Sequence, residues 1–299
     1  MFIRSFLKLI ILSGSFAVFI LTSMPSQALP VLIAQNTRQS AVDKVNQGLQ
    51  LIQQGKLPAA IESFRQATRL DPKMAAAHYN LGLALRQAGQ LQPSADAFYK
   101  AIQADPNFAM AYVNLGAALL EGNNLQQAQD YLRRSIELDP KAGLAYYNLG
   151  LVYQKQGNLA AAIQSFQKSA QLSPTAPEPL FYLGTLYQRQ GKPQDAIAAF
   201  RQAIQRNPNY VEAHYSLGLV AYSQGKLADA LNSFRKATQL NPKLASGYYA
   251  AGLVFLRQNN LPEAKRLLNY AKDLYVAQGN AQWAVKTEEQ LQQLQRLRP

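Results

Sequence analysis

The sequence predicts an all-α solenoid of seven 34-residue helix-turn-helix repeats followed by a C-terminal capping helix, and three columns of residues predict it. A glycine returns every 34 residues, at Gly48, Gly82, Gly116, Gly150, Gly184, Gly218 and Gly252. A second column holds only Gly or Asn: Gly55, Gly89, Asn123, Gly157, Gly191, Gly225 and Asn259. The third is proline, at Pro72, Pro106, Pro140, Pro174, Pro208 and Pro242. Windows of 34 tile residues 41–278 with no insertion or deletion. A fixed period of that length marks repeats that each bury an apolar face against their neighbours.

In chain order, residues 1–28 read as a signal peptide. Arg4 and Lys8 give a basic start, Leu9 to Met24 an apolar run broken only by Ser, Gly and Thr, and Ser26-Gln27-Ala28 a small-x-small cleavage site. The alternative is an uncleaved membrane anchor over residues 9–24, with Pro30 to Ala34 adding apolar length. No Cys follows the run, which argues against a lipoprotein. Residues 29–40 show no clear periodicity and are expected to be a flexible linker. The repeats then occupy 41–74, 75–108, 109–142, 143–176, 177–210, 211–244 and 245–278.

The window from Gly143 to Ala176 shows the plan. Tyr146, Leu149, Gly150 and Tyr153 stand at helical spacing in a first helix, Ala162, Phe166, Ser169 and Ala170 in a second, and Pro174 closes the unit. The Gly/Asn column marks the end of each first helix, because those residues most easily take positive φ. Pro58 and Pro262 fall near the start of second helices, where a missing N–H costs little. Asp71, Asp105, Asp139, Ser173, Asn207 and Asn241 precede the prolines and are expected to cap the following helix. The last window has Val276 in place of proline. Residues 279–299 supply the capping helix, with Trp283, Ala284, Leu291 and Leu294 on its apolar side; Trp283 is expected in the core.

Two further columns complete the pattern. A small residue recurs at Ala60, Ser94, Ala128, Ala162, Ala196, Ala230 and Ala264, and four places later a large apolar one at Phe64, Phe98, Leu132, Phe166, Phe200, Phe234 and Leu268. With the glycine and proline columns, this resembles the tetratricopeptide repeat (TPR) family over 238 of the 299 residues. The resemblance implies a right-handed superhelix whose first helices line a concave groove that holds a peptide or partner protein.

Composition bounds the chemistry. With 48% hydrophobic and 16% charged residues the chain is globular in composition. It has no cysteine, which excludes disulfides, thiolate catalysis and sulfur-ligated zinc. The net charge of +13 admits anionic partners without choosing among them. The two histidines, His78 and His214, are four repeats apart in a column otherwise filled by Tyr112, Tyr146, Leu180 and Tyr248, so they read as helix-packing residues. The recurring Leu-Gly pairs lie inside helices and make no phosphate loop, and carboxylates are scattered. No catalytic residue, metal site or cofactor is expected.

The expected contact surface is the first-helix face. Asn46, Asn80, Asn114 and Asn148 form a ladder two residues before the glycine column, continued by Tyr182, Ser216 and Ala250. By resemblance to long TPR superhelices, each amide would bond the backbone of an extended chain. The reading that these amides bond within or between repeats stands beside it. One residue earlier come Val45, Tyr79, Val113, Tyr147, Phe181, Tyr215 and Tyr249, which turn the later surface aromatic and suit apolar side chains of a partner. Lys155 and Arg189, two helical turns on, are placed to meet acidic groups or a C-terminal carboxylate in the groove. Arg65, Lys100, Arg133, Arg134, Lys168, Arg201, Arg235 and Lys236 follow the Phe column as a basic stripe on the outer side.

These features lead to an expectation: a non-catalytic protein- or peptide-binding scaffold or adaptor in an exported compartment, periplasmic or secreted. One alternative is a basic stripe that binds an anionic lipid or cell-wall polymer; another is a regulatory subunit of an envelope enzyme. Nucleic acid is not an expected partner, and membrane contact is expected only through an uncleaved N-terminus or the stripe.

Overall fold

The computed structural model describes residues 28–296, and the side chains of residues 35–294. Fifteen α-helices and no strand occur among the described residues. Seven helix-turn-helix pairs come first: α1 (Ala28–Gln53) with α2 (Leu57–Leu70), α3 (Ala75–Gln87) with α4 (Leu91–Ala104), α5 (Ala109–Glu121) with α6 (Leu125–Leu138), and α7 (Gly143–Lys155) with α8 (Leu159–Leu172). They continue with α9 (Glu178–Arg189) and α10 (Pro193–Arg206), α11 (Val211–Ser223) and α12 (Leu227–Leu240), and α13 (Ala245–Arg257) and α14 (Leu261–Ala277). A final helix, α15 (Ala281–Arg296), packs on α14. The helices fall into two compact units, α1–α6 up to Asp139 and α7–α15 from Pro140.

Inside each pair the glycine column and the large-residue column meet. A Cβ on Gly184 would lie 2.5 Å from a ring atom of Phe200, and on Gly150 2.7 Å from Phe166, closer than any real contact. Phe98, Phe166, Phe200 and Phe234 are completely buried as a result. The turn after each first helix uses positive φ throughout the Gly/Asn column, including Asn123 at 61° and Asn259 at 57°.

Residues 29–40, expected as a flexible linker, are helical instead: α1 runs for 26 residues against 13 in α3. Pro30 falls in the first turn, where no intrahelical N–H bond is lost. Residues 35–40 are all exposed, so this stretch has no buried face and leaves no apolar period to read. The residues before the prolines also differ from expectation. The side chains of Asp71, Asp105, Asn207 and Asn241 accept from the N–H two residues on, at 3.0 Å each, and so stabilise the inter-repeat turn rather than cap the next helix. Where Val276 replaces proline, α14 extends to 17 residues in place of the 14 of α12.

Residues 1–27, which carry the signal or anchor expectation, lie outside the described residues. Among those described, no helix is long and apolar enough to cross a membrane.

Candidate functional site

The asparagine column is arranged around its own helices. Asn46 is exposed on α1. The Asn80 amide donates to the Ala76 carbonyl at 2.8 Å, and Asn148 to Leu144 at 3.1 Å, each four residues back in the same helix. Asn114, 7% exposed, donates to the Met110 carbonyl at 3.0 Å and to the Tyr79 hydroxyl at 3.1 Å. Both of its N–H bonds are therefore committed inside the first unit, and what it can still offer a ligand is its Oδ1 acceptor.

The aromatic column is half-buried and partly packed on itself. In the second unit Tyr147 lies edge-on to Tyr182 at 5.8 Å, and Phe181 packs on Phe200 at 5.8 Å and Tyr210 at 5.2 Å. Burial first, and the neighbouring Tyr182 hydroxyl next, push the Tyr147 phenol well above its usual range. Lys155 and Arg189 are exposed in the last turns of α7 and α9, where a cation meets the negative end of the helix. They do not join the aromatic residues in a pocket.

Tyr215 and Tyr249 do come together. They line a cavity of about 640 Å³ in the second unit, walled also by Tyr222, Phe234, Tyr275 and Trp283. That volume falls in the range of small-ligand pockets. It is built by α11 and α13 as first helices of neighbouring repeats, by Phe234 of α12 and the turn that follows it, and by the junction from α14 to α15. Trp283, expected in the core, is only partly buried; it stacks on Tyr275 with ring centroids 5.8 Å apart and meets Tyr249 edge-on at 5.6 Å. Sequence reading missed its role because its partners lie in other windows. Its being the only tryptophan of the chain was the available signal.

The pocket's electrostatics are one-sided. Lys243 is its only charged lining residue, and no carboxylate lines it. The Arg257 guanidinium stands over the Tyr222 ring at 4.7 Å and the Lys286 ammonium over Trp283 at 4.5 Å. Burial raises the phenols of Tyr215, Tyr249 and Tyr275, the last to about 12, and neighbouring tyrosine hydroxyls raise Tyr249 and Tyr275 further. These phenols stay un-ionised at ordinary pH, although a bond with Ser246 works against burial at Tyr215. The Gln278 side chain donates to the Lys243 carbonyl at 2.7 Å and fixes the rim.

The remaining expected groups sit apart. His78 and His214 each bond a proline carbonyl, Pro72 or Pro208, at 2.9 Å. No cluster of three or more metal-ligating side chains occurs among the described residues. The basic stripe residues are all exposed on second helices.

Family models described as tetratricopeptide repeat match residues 45–107, 182–245 and 221–275, 142–207, and 97–130, and one described as TPR repeat matches 116–157. A comparison with curated protein sequences gave no match. Among solved structures, the chain is similar to YrrB, described as a TPR protein with an unusual peptide-binding site (28% identity, 65% of this chain and 99% of that one, TM-score 0.54). It is also similar to MamA (27% identity, 56% and 97% covered, TM-score 0.50). A tetratricopeptide repeat protein from Parabacteroides merdae shares the fold at 20% identity, with 84% and 99% covered and a TM-score of 0.63.

Proposed function

This chain belongs to the tetratricopeptide repeat family, and from that membership we propose that it is a non-catalytic scaffold or adaptor holding a protein or extended peptide against the first helices of its repeats. The observation that supports the reading best is the aromatic pocket between α11, α13 and the α14–α15 junction, which both Tyr215 and Tyr249 line. The likeness to YrrB, whose description includes a peptide-binding site, supports the same class of ligand. Tyr147 and Phe181 extend the aromatic contact within the second unit, and Lys155 and Arg189, exposed at the ends of α7 and α9, meet acidic groups of the ligand. Asn46, Asn80, Asn114 and Asn148 contribute as acceptors more than as a two-sided ladder. The basic, apolar N-terminus supports action in an exported compartment.

The test is a crosslink and pull-down from exported fractions with three chains: wild type, Tyr215→Ser/Tyr249→Ser, and Asn114→Ala/Asn148→Ala. A protein captured by wild type and lost from the tyrosine variant, with helicity retained, is the expected outcome. The asparagine variant is expected to weaken capture less, since each amide already serves its own helix. Capture indifferent to both variants would reject the first-helix surface.

A second reading rests on the exposure of the basic stripe from Arg65 to Lys236, which suits an anionic lipid or polymer surface. It predicts binding that moderate salt removes and that Arg235→Glu/Lys236→Glu weakens, with no response to the tyrosine variant.

A further inference from the structure

We infer that a second cavity, between α12, α13 and α14, is a slot for a small anionic amphiphile: a phosphate, sulfate or carboxylate head on one unbranched aliphatic chain, taken up as a monomer. It goes beyond both readings above, because the slot shares no lining residue with the aromatic pocket and takes a single molecule instead of resting on a surface.

Three observations lead there. The cavity holds about 250 Å³ and is walled by Leu231, Tyr248, Ala251, Phe255 and Leu267. Drug-sized pockets run to about 300–1,000 Å³, so this one suits a chain more than a ring system. Tyr270, 45% exposed, lies edge-on to Tyr248 at 4.6 Å and carries the apolar wall outward. The second observation is charge. Arg235 of α12 and Arg266 of α14 line the cavity, and no carboxylate does. Arg235 makes no ion pair among the described residues. Arg266 bonds Glu263 through Nε at 2.8 Å, which orients its guanidinium and leaves the terminal N–H groups as donors. Apolar walls between two guanidinium groups match a chain that ends in an anion.

The third observation is the equivalent groove two repeats earlier, between α8, α9 and α10. It has Gln167, Leu183, Tyr187 and Ala198 where the later one has Arg235, Ala251, Phe255 and Arg266. There the Gln167 amide donates to the Tyr187 hydroxyl at 3.1 Å, and Asp195 lines the groove. The repeat therefore packs with amides and a carboxylate at these positions, and its fold requires neither the two arginines nor the bare Phe255 ring.

The test is calorimetry on the whole chain with octyl phosphate, butyl phosphate, octyltrimethylammonium and octyl glucoside, each below its micelle concentration. Octyl phosphate is expected to bind one to one. Each buried methylene contributes about fourfold, so butyl phosphate should bind at least tenfold more weakly. The cationic and neutral octyl probes should be weaker by tenfold or more, as loss of a charge-assisted bond would make them. Arg235→Gln/Phe255→Tyr installs the pair already present in the earlier groove, so it is expected to fold as wild type does by circular dichroism, and to weaken octyl phosphate at least tenfold. Arg235→Gln alone, at an exposed position, tests the head separately and should weaken octyl phosphate without affecting octyl glucoside.

Equal affinity for octyl phosphate and octyl glucoside would overturn the anionic head. Unchanged octyl phosphate affinity in the double variant would overturn the site. Binding to vesicles of phosphatidylglycerol and phosphatidylcholine, with none of monomeric octyl phosphate, would overturn the slot and leave the basic-stripe reading standing. Absence of octyl phosphate binding in a chain that still captures a protein partner would remove the slot and leave the scaffold reading untouched.

Discussion

His78 shows how one side chain ties a repeat to solution conditions. It is 7% exposed, its Nε2 donates to the Pro72 carbonyl, and its Nδ1 is buried without a partner. Burial lowers its pKa below the ordinary 6.5, Lys100 lowers it further, and the Pro72 bond and Asp71 act in the opposite sense. A depressed value in the folded state means that the unfolded chain takes up the proton first, so the histidine's contribution is full above pH 6.5 and is lost as pH falls through the folded value. The unfolding midpoint should fall between pH 7 and pH 5, and His78→Tyr, the residue found at 112, 146 and 248 in the same column, should flatten that fall. A midpoint with the same pH slope in the variant would show that His78 is not the group. Arg206 is the converse case, with partners that the sequence does not name. It stands where other repeats have Leu or Ala, and its guanidinium donates to the carbonyls of Ala170, Ser173 and Ala176 at 2.8–3.1 Å, closing the end of α8. Its departure from that Leu/Ala column was the sole sign in the linear pattern, and it names no partner.

At the scale of the element, the turns are the most legible part. The Gly/Asn column demands positive φ, and the structure places all seven positions there, Asn259 at 57° and Gly157 at 79° among them. Asn tolerates that conformation less well than Gly. Asn259→Gly is therefore expected to raise stability by a few tenths to about 1 kcal/mol, and Gly157→Ala to lower it by roughly 1 kcal/mol, read from denaturant midpoints. A stabilising Gly157→Ala would contradict the strain account. The second helices were equally readable, because Ala, Phe and small residues at i, i+4 and i+7 leave one narrow buried stripe. The N-terminal half of α1 was not: a helix with every described position from 35 to 40 exposed has no stripe. Its continuation back to Ala28 depends on the absence of a breaker after Pro30, a negative signal that periodicity does not register.

At the scale of the whole molecule, each repeat's core is local, so damage should be local. Phe64 in the first unit and Phe234 in the second fill the space opposite Gly48 and Gly218. Truncating either to Ala should cost roughly 3–5 kcal/mol. In a repeat array that loss falls on the affected repeat and its neighbours. Hydrogen exchange should then rise in α1–α4 for Phe64→Ala, with α11–α15 unchanged, and the reverse for Phe234→Ala. A uniform rise across all helices would mean that the chain unfolds as one cooperative body.

The sequence by itself determined the helix pairs, their turns and the Gly-to-Phe contacts of the core. Those are set by neighbours within one 34-residue window, and a window repeated seven times states its rule seven times. Tertiary structure alone brought the candidate pocket together. In sequence the ladder amides stand equally for ligand bonding and for bonding within the repeats, and only the structure shows Asn80, Asn114 and Asn148 donating to carbonyls one turn back. The pocket joins Tyr215, Tyr249, Tyr275 and Trp283 from two repeats and the closing junction. Their proximity follows from how successive helices stack, a property of three-dimensional packing that no single window contains.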